Sequence, residues 1–219
     1  MIRRRVPVWS ADSYARVIVL IAITYMVGTL ADTRWAVSLM LLVQIGTVWY
    51  ALRASHARPR VRLTSAFVFL LALLAGVWNI LTHGRILVGL TFLAGSALYL
   101  LAPVSIVADL ARRREADREL MLGALSAYLM LGMAFGYAYR CLAALLPGPF
   151  YGEAGDGTLA DSLFYSFITL TTTGYGDLVP AGNPGRGLAV LEALLGQLFL
   201  VTAVAKIVNI WEPRAWRNT

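Results

Sequence analysis

The chain has 219 residues, 59% of them hydrophobic and only 14% charged, with a formal net charge of +7. A soluble domain carries about 25% charged residues, so this composition excludes one and points to the membrane. The basic residues fall in short blocks between apolar runs, a positive-inside pattern and not a nucleic-acid surface. A lone cysteine, Cys141, excludes an intrachain disulfide and reads as a packed thiol.

A spanning helix needs about 20 mostly apolar residues. Six stretches qualify, at roughly 14–31, 35–53, 63–82, 86–108, 120–146 and 186–211. The first follows Arg3, Arg4 and Arg5 and is read as a span, not as a cleaved leader. With the N-terminus inside, Lys and Arg divide fifteen to four in favour of the inner segments. The expected topology is therefore multi-pass in the plasma membrane, with both termini cytoplasmic. All six tryptophans fall near predicted span ends, where amphipathic rings settle.

The expected organisation follows in chain order. Residues 1–13 form a cytoplasmic segment, 14–110 a four-helix transmembrane domain and 111–119 a charged inner linker. Residues 120–211 form a second membrane unit, and 212–219 a short tail without room for a ligand-binding domain. The linker, "ARRREADRE", reads as a solvated helix face on anionic headgroups, with force coupling as the alternative. The expected partners are membrane lipids, anionic ones at the inner basic loops, with no nucleic acid. The fourth span has Arg85 at its start and no Lys or Arg from Ile86 to Leu110, only Asp109 near its inner end. A voltage sensor needs several basic residues along such a span, so steep voltage activation is not expected. His56 and His83 read as surface loop residues.

Between the fifth and sixth spans, 147–157 is rich in Pro, Gly and acid and reads as an exposed loop. Residues 161–171 are apolar and aromatic but, at about 1.5 Å per residue, too short to cross. They predict a half helix capped by Thr158 or Asp161 that enters from outside and stops mid-membrane. Its C-terminal dipole favours a cation at the centre. Residues 172–176 would then be irregular backbone at depth, tolerated only when buried in protein or lining a water path.

That run, "TTGYGD" from Thr172 to Asp177, resembles the selectivity-filter signature of the potassium channel superfamily. The resemblance covers about residues 120–211; the six-span layout is similar to the voltage-gated-like branch without a charged fourth span. It implies an all-α membrane protein of six transmembrane helices plus a re-entrant pore half-helix and filter loop, assembled as a homotetramer. It implies K+ as the permeant ion, with no cofactor, held by carbonyls of Thr172, Thr173, Gly174 and Tyr175. The Thr172 hydroxyl would close the inner site and Gly176 would shape the outer mouth. Tyr175 would lean on Phe164 and Tyr165, and Asp177 would tether the mouth. Thr173 departs from the Val or Ile common in the family, which leaves the carbonyl ligand intact and adds a hydroxyl behind it.

On the sixth span Gln197, Leu200, Val204 and Val208 share one face. Under the resemblance that face lines the cavity, with Val204 or Val208 as a hydrophobic gate. Gly196 occupies the family's hinge position, and close helix packing is the alternative, as for Gly132 and Gly136. Glu192, an acid deep in a span, is a functional candidate by default. It would support the filter by bonding Ser166 or Thr171, or pair with Arg140; a structural carboxylate is the alternative. The expected function is passive, potassium-selective conduction, not steeply voltage-gated. A K+ transporter subunit, or a voltage-gated or less selective cation channel of the same superfamily, stands second. An enzyme is not expected, because no paired carboxylates, HExxH or Ser-His set lies in the membrane.

Overall fold

The computed structural model describes residues 11–30, 43–44, 46–53, 85–112 and 117–211. These are almost wholly helical. Helix α1 is Ala11–Leu30, α2 Arg85–Arg112, α3 Arg118–Leu145, α4 Leu159–Leu170 and α5 Asn183–Trp211, with a 3₁₀ turn at Gly152–Ala154.

Among the described residues, three helices are long and apolar enough to cross a membrane: Arg85–Ala111, Arg118–Leu145 and Asn183–Asn209. This makes the chain a multi-pass membrane protein. It also corrects the expected architecture of six transmembrane helices plus a re-entrant pore half-helix, and with it the voltage-gated-like layout. Helix α1, 20 residues long, packs Tyr14, Val17 and Ile21 into the core. The expected spans at 35–53 and 63–82 fall largely outside the described residues; of them only 43–44 and 46–53 are described, as helix. Hydropathy scores a face packed on protein, such as that of α1 carrying Tyr14, Val17 and Ile21, like a face turned to lipid.

Helix α3 is the spine. Its start is set by Asp117, whose carboxylate accepts from Leu120 N at 2.8 Å, satisfying a donor that the first turn leaves unpaired. It stops before Pro147, where Leu146 N closes the last turn on Leu142 O at 2.8 Å. Small residues let its neighbours approach. A Cβ on Gly136 would lie 2.6 Å from Leu163 Cδ2 of α4, and one on Gly123 would lie 3.0 Å from Leu110 of α2. In lipid such close packing, not hydrophobic exclusion, holds helices together. The core joins Tyr14, Val17 and Ile21 of α1 to Tyr99, Ala102 and Ile106 of α2 and to Met130, Met133 and Tyr137 of α3. Ser126 of α3 donates to Leu122 O at 2.7 Å and reaches Tyr14 O at 3.4 Å. The result is a rigid backing on which α4 and α5 rest.

Candidate functional site

Helix α4 and the eight residues after it form the least regular part of the described membrane unit. Its N-terminus is a reciprocal cap. Thr158 Oγ1 accepts from Asp161 N at 3.2 Å, and the Asp161 carboxylate accepts from Thr158 N at 2.7 Å. Its C-terminal carbonyls are also provided for. Phe167 O takes Thr171 N at 3.0 Å, Thr169 O takes Thr172 N at 2.9 Å, and Ile168 O takes both Thr173 N and Gly174 N at 2.8 and 3.1 Å. Leu170 O receives the Tyr128 hydroxyl at 3.1 Å. The chain thus leaves the helix in a defined direction.

It then alternates. Thr172, Gly174 and Gly176 have φ of 58°, 51° and 82°, so every second residue is left-handed. Two of these are glycines, which take that conformation without a Cβ penalty. Thr172 is the only non-glycine with positive φ among the described residues, a strain of about 1–3 kcal/mol. Its hydroxyl donates to Thr171 O at 2.7 Å and receives Gln197 Nε2 at 3.2 Å. Two expected site residues, one on the loop and one on α5, are therefore in contact.

The remaining expected residues divide. Thr173 Oγ1 lies 2.9 Å from Thr171 Oγ1, which donates to Phe167 O at 2.7 Å. Phe164 stacks on Tyr175 with centroids 6.1 Å apart and planes 5° from parallel. Tyr165 instead turns to Tyr139 at 4.9 Å and Tyr151 at 5.6 Å. Tyr175 is 71% exposed, and the whole run from Thr171 to Asp177 is exposed in the single chain. Asp177 makes no side-chain hydrogen bond or ion pair among the described residues. The C-terminal part of the loop is pinned by Arg186 Nε to Pro180 O at 2.9 Å and by Ala181 N to Phe150 O at 2.8 Å.

Glu192 is fully buried. Its carboxyl meets Ser166 Oγ at 2.5 Å and Tyr139 Oη at 2.6 Å. Ser166 was among the expected partners and Tyr139 was not. Arg140 lies over the Phe92 ring, 5.8 Å from its centroid, and Thr171 is bonded to α4. Four residues after Glu192, Gly196 abuts the end of α4: a Cβ there would lie 2.6 Å from Leu170 O. Gln197, Leu200, Val204 and Val208 of α5 are all exposed. Lys206 Nζ reaches back to Ala111 O, at the C-terminal end of α2, at 3.4 Å.

Two long helices with a capped short helix and a strained, exposed backbone run between them define a membrane channel protein. The family model described as "Ion channel" matches residues 125–212, which takes in α3, α4, the loop and α5. The chain is 34% identical over 93 residues to Protein LctB of Bacillus caldotenax, covering 40% of this chain and 69% of that protein. It is 38% identical over 80 residues to the inward rectifier potassium channel Kirbac3.1 of Paramagnetospirillum magnetotacticum, covering 36% of this chain and 25% of that one. It is 34% identical over 86 residues to two pore potassium channel c of Oryza sativa subsp. japonica, covering 39% and 17%. The chain belongs to this ion-channel family and is a non-catalytic channel protein, its matched part similar to that of potassium channels. The matched part spans a quarter of the length of Kirbac3.1 and less of the rice channel. No solved structure matches.

Proposed function

We propose that this protein conducts K+ passively and selectively through a pore shared by four copies of the chain. The observation that carries the reading is the alternation of left-handed residues at Thr172, Gly174 and Gly176. Reversing every second residue turns successive carbonyls toward one axis. Rings of such carbonyls can replace the water shell of K+. The carbonyls of Thr172, Thr173, Gly174 and Tyr175 would be the ligands, with the Thr172 hydroxyl closing the inner site and Gly176 shaping the outer mouth. Phe164 and Tyr175 brace the strand, and Asp177 awaits a partner on a neighbouring copy.

A single strand cannot encircle an ion. The exposure of the run from Thr171 to Asp177 supports the same conclusion, because irregular backbone inside a bilayer needs protein or water around it. Gln197 lies at the cavity top, Leu200 lower on the wall, and Val204 or Val208 at an inner constriction that closes by dewetting. Gly196 serves close packing of α5 on α4. The pore unit is 120–211, in the plasma membrane with cytoplasmic termini, and the inner basic segments rest on anionic lipid.

The test is K+ flux from liposomes containing purified full-length protein, followed by single-channel recording under bi-ionic K+/Na+ conditions. Flux that is blocked by Ba2+ and lost when Na+ replaces K+ is expected. Equal permeability to K+ and Na+ in single-channel records would overturn the selectivity claim.

A further inference from the structure

Two oxygen–oxygen contacts converge on Glu192, and a third ties its partner Ser166 to α3. Tyr139 Oη meets Oε2 at 2.6 Å, Ser166 Oγ meets Oε1 at 2.5 Å, and Ser166 Oγ also meets Gly132 O at 2.7 Å. Each contact is of hydrogen-bond length for an O–H···O pair and needs a hydrogen between its oxygens. Tyr139 brings one hydrogen and Ser166 brings one; the Gly132 carbonyl brings none. Two hydrogens cannot fill three contacts. A serine hydrogen shared between two acceptors would leave both contacts long, and here both are short.

We propose that Glu192 carries its own proton, on Oε1, and so acts as a neutral positioning residue that locks α3, α4 and α5 together. The protons then have one consistent arrangement. Glu192 Oε1–H donates to Ser166 Oγ, Ser166 Oγ–H donates to Gly132 O, and Tyr139 Oη–H donates to Glu192 Oε2. Every donor and acceptor in the group is used once.

The surroundings agree. Glu192 is fully buried and forms no ion pair among the described residues. An unpaired buried carboxylate is costly, whereas a neutral acid that is hydrogen-bonded on both oxygens is not. The titratable groups that face it are Tyr139 and Tyr128 from α3 and Tyr165 from α4. Tyr128 is engaged with Leu170 O, and Tyr165 packs against Tyr139 and Tyr151. None supplies a positive charge. Only the consequence rests on the conduction reading: the helix held in this way is the one that leads directly into the proposed filter.

The experiment is infrared difference spectroscopy of the full-length protein in lipid nanodiscs at neutral pH. A carboxylic-acid C=O band is expected in the wild type and is lost in Glu192→Gln. In Tyr139→Phe the same band moves to higher frequency, because the carbonyl oxygen Oε2 loses its donor. Absence of any acid band that depends on Glu192, or an unmoved band in Tyr139→Phe, overturns the proposal. If Glu192→Gln does not fold, the Tyr139→Phe shift alone decides. The measurement needs no ion flow, so its failure and the failure of the conduction reading are separate results.

Discussion

At Thr173 the side chain and the backbone have different tasks. Its carbonyl is a proposed ion ligand, while its hydroxyl sits 2.9 Å from Thr171 Oγ1. Thr171 already donates to Phe167 O, so Thr173 is the donor in the pair. Thr173→Val keeps the carbonyl and the shape and removes one hydrogen bond, worth about 1 kcal/mol. The expected result is unchanged K+/Na+ discrimination in bi-ionic recordings together with a modest loss of thermal stability; a collapse of selectivity would show that the hydroxyl, not the carbonyl, sets the ion site. The run that holds Thr173 stood out in the sequence because its residue types, Thr and Gly around a Tyr, fit neither helix nor strand. Tyr139 was not. A tyrosine within a 28-residue apolar helix looks like packing, and its partner Glu192 lies 53 positions away. The left-handed Thr172 left no local signal either, since threonine ordinarily avoids that conformation.

At the level of elements, what matters is how closely α4 is held against α3 and α5. Gly196 is decisive for the second contact. A Cβ there would lie 2.6 Å from the Leu170 carbonyl oxygen and 2.8 Å from Leu170 Cδ1. The side chain could shift, but the backbone oxygen belongs to the last residue of α4. Gly196→Ala is therefore expected to cost about 1–3 kcal/mol, the usual penalty of overpacking, read as a lower melting midpoint of the purified protein. A bending hinge without close packing would leave that midpoint unchanged. The other end of α4 gives an independent check. Thr158→Ala removes one half of the reciprocal cap and should cost about 1 kcal/mol, measured in the same way. The cap before an apolar run was readable from sequence; for Gly196 the hinge and close-packing readings stood level. The count of spans was not readable. The face of α1 carrying Tyr14, Val17 and Ile21 is buried on protein, and hydropathy cannot separate that face from one turned to lipid.

For the whole molecule, burial is uneven. In the apolar windows of α2 and α3, 50% and 67% is buried within the chain, but in that of α5 only 11%. Lipid can cover the leucines and valines of α5, but it cannot satisfy Gln197 or the exposed backbone beyond Thr171. The proposed four-fold assembly would cover them, and native mass spectrometry from nanodiscs is expected to give four copies; a monomer that still conducts would refute the shared pore. The rest of the molecule bears on gating. Taking a two-state gate from 1:99 to 99:1 needs about 5.5 kcal/mol. A 100 mV step supplies about 2.3 kcal/mol for each elementary charge that crosses the field, so two to three charges would have to move, by about the same arithmetic. Between its terminal residues Arg85 and Arg112, α2 carries no basic residue, and Asp109 sits near its C-terminal end. Stretch 63–82 carries no charged residue at all. The available charge falls short of what a switch needs. Open probability in planar bilayers is therefore expected to change by less than about threefold over 100 mV, since each fully moved charge would already give about fifty-fold. A steep sigmoidal conductance–voltage curve would mean that charge crosses the field on residues other than these, and would return the first hundred residues to the role of a sensor.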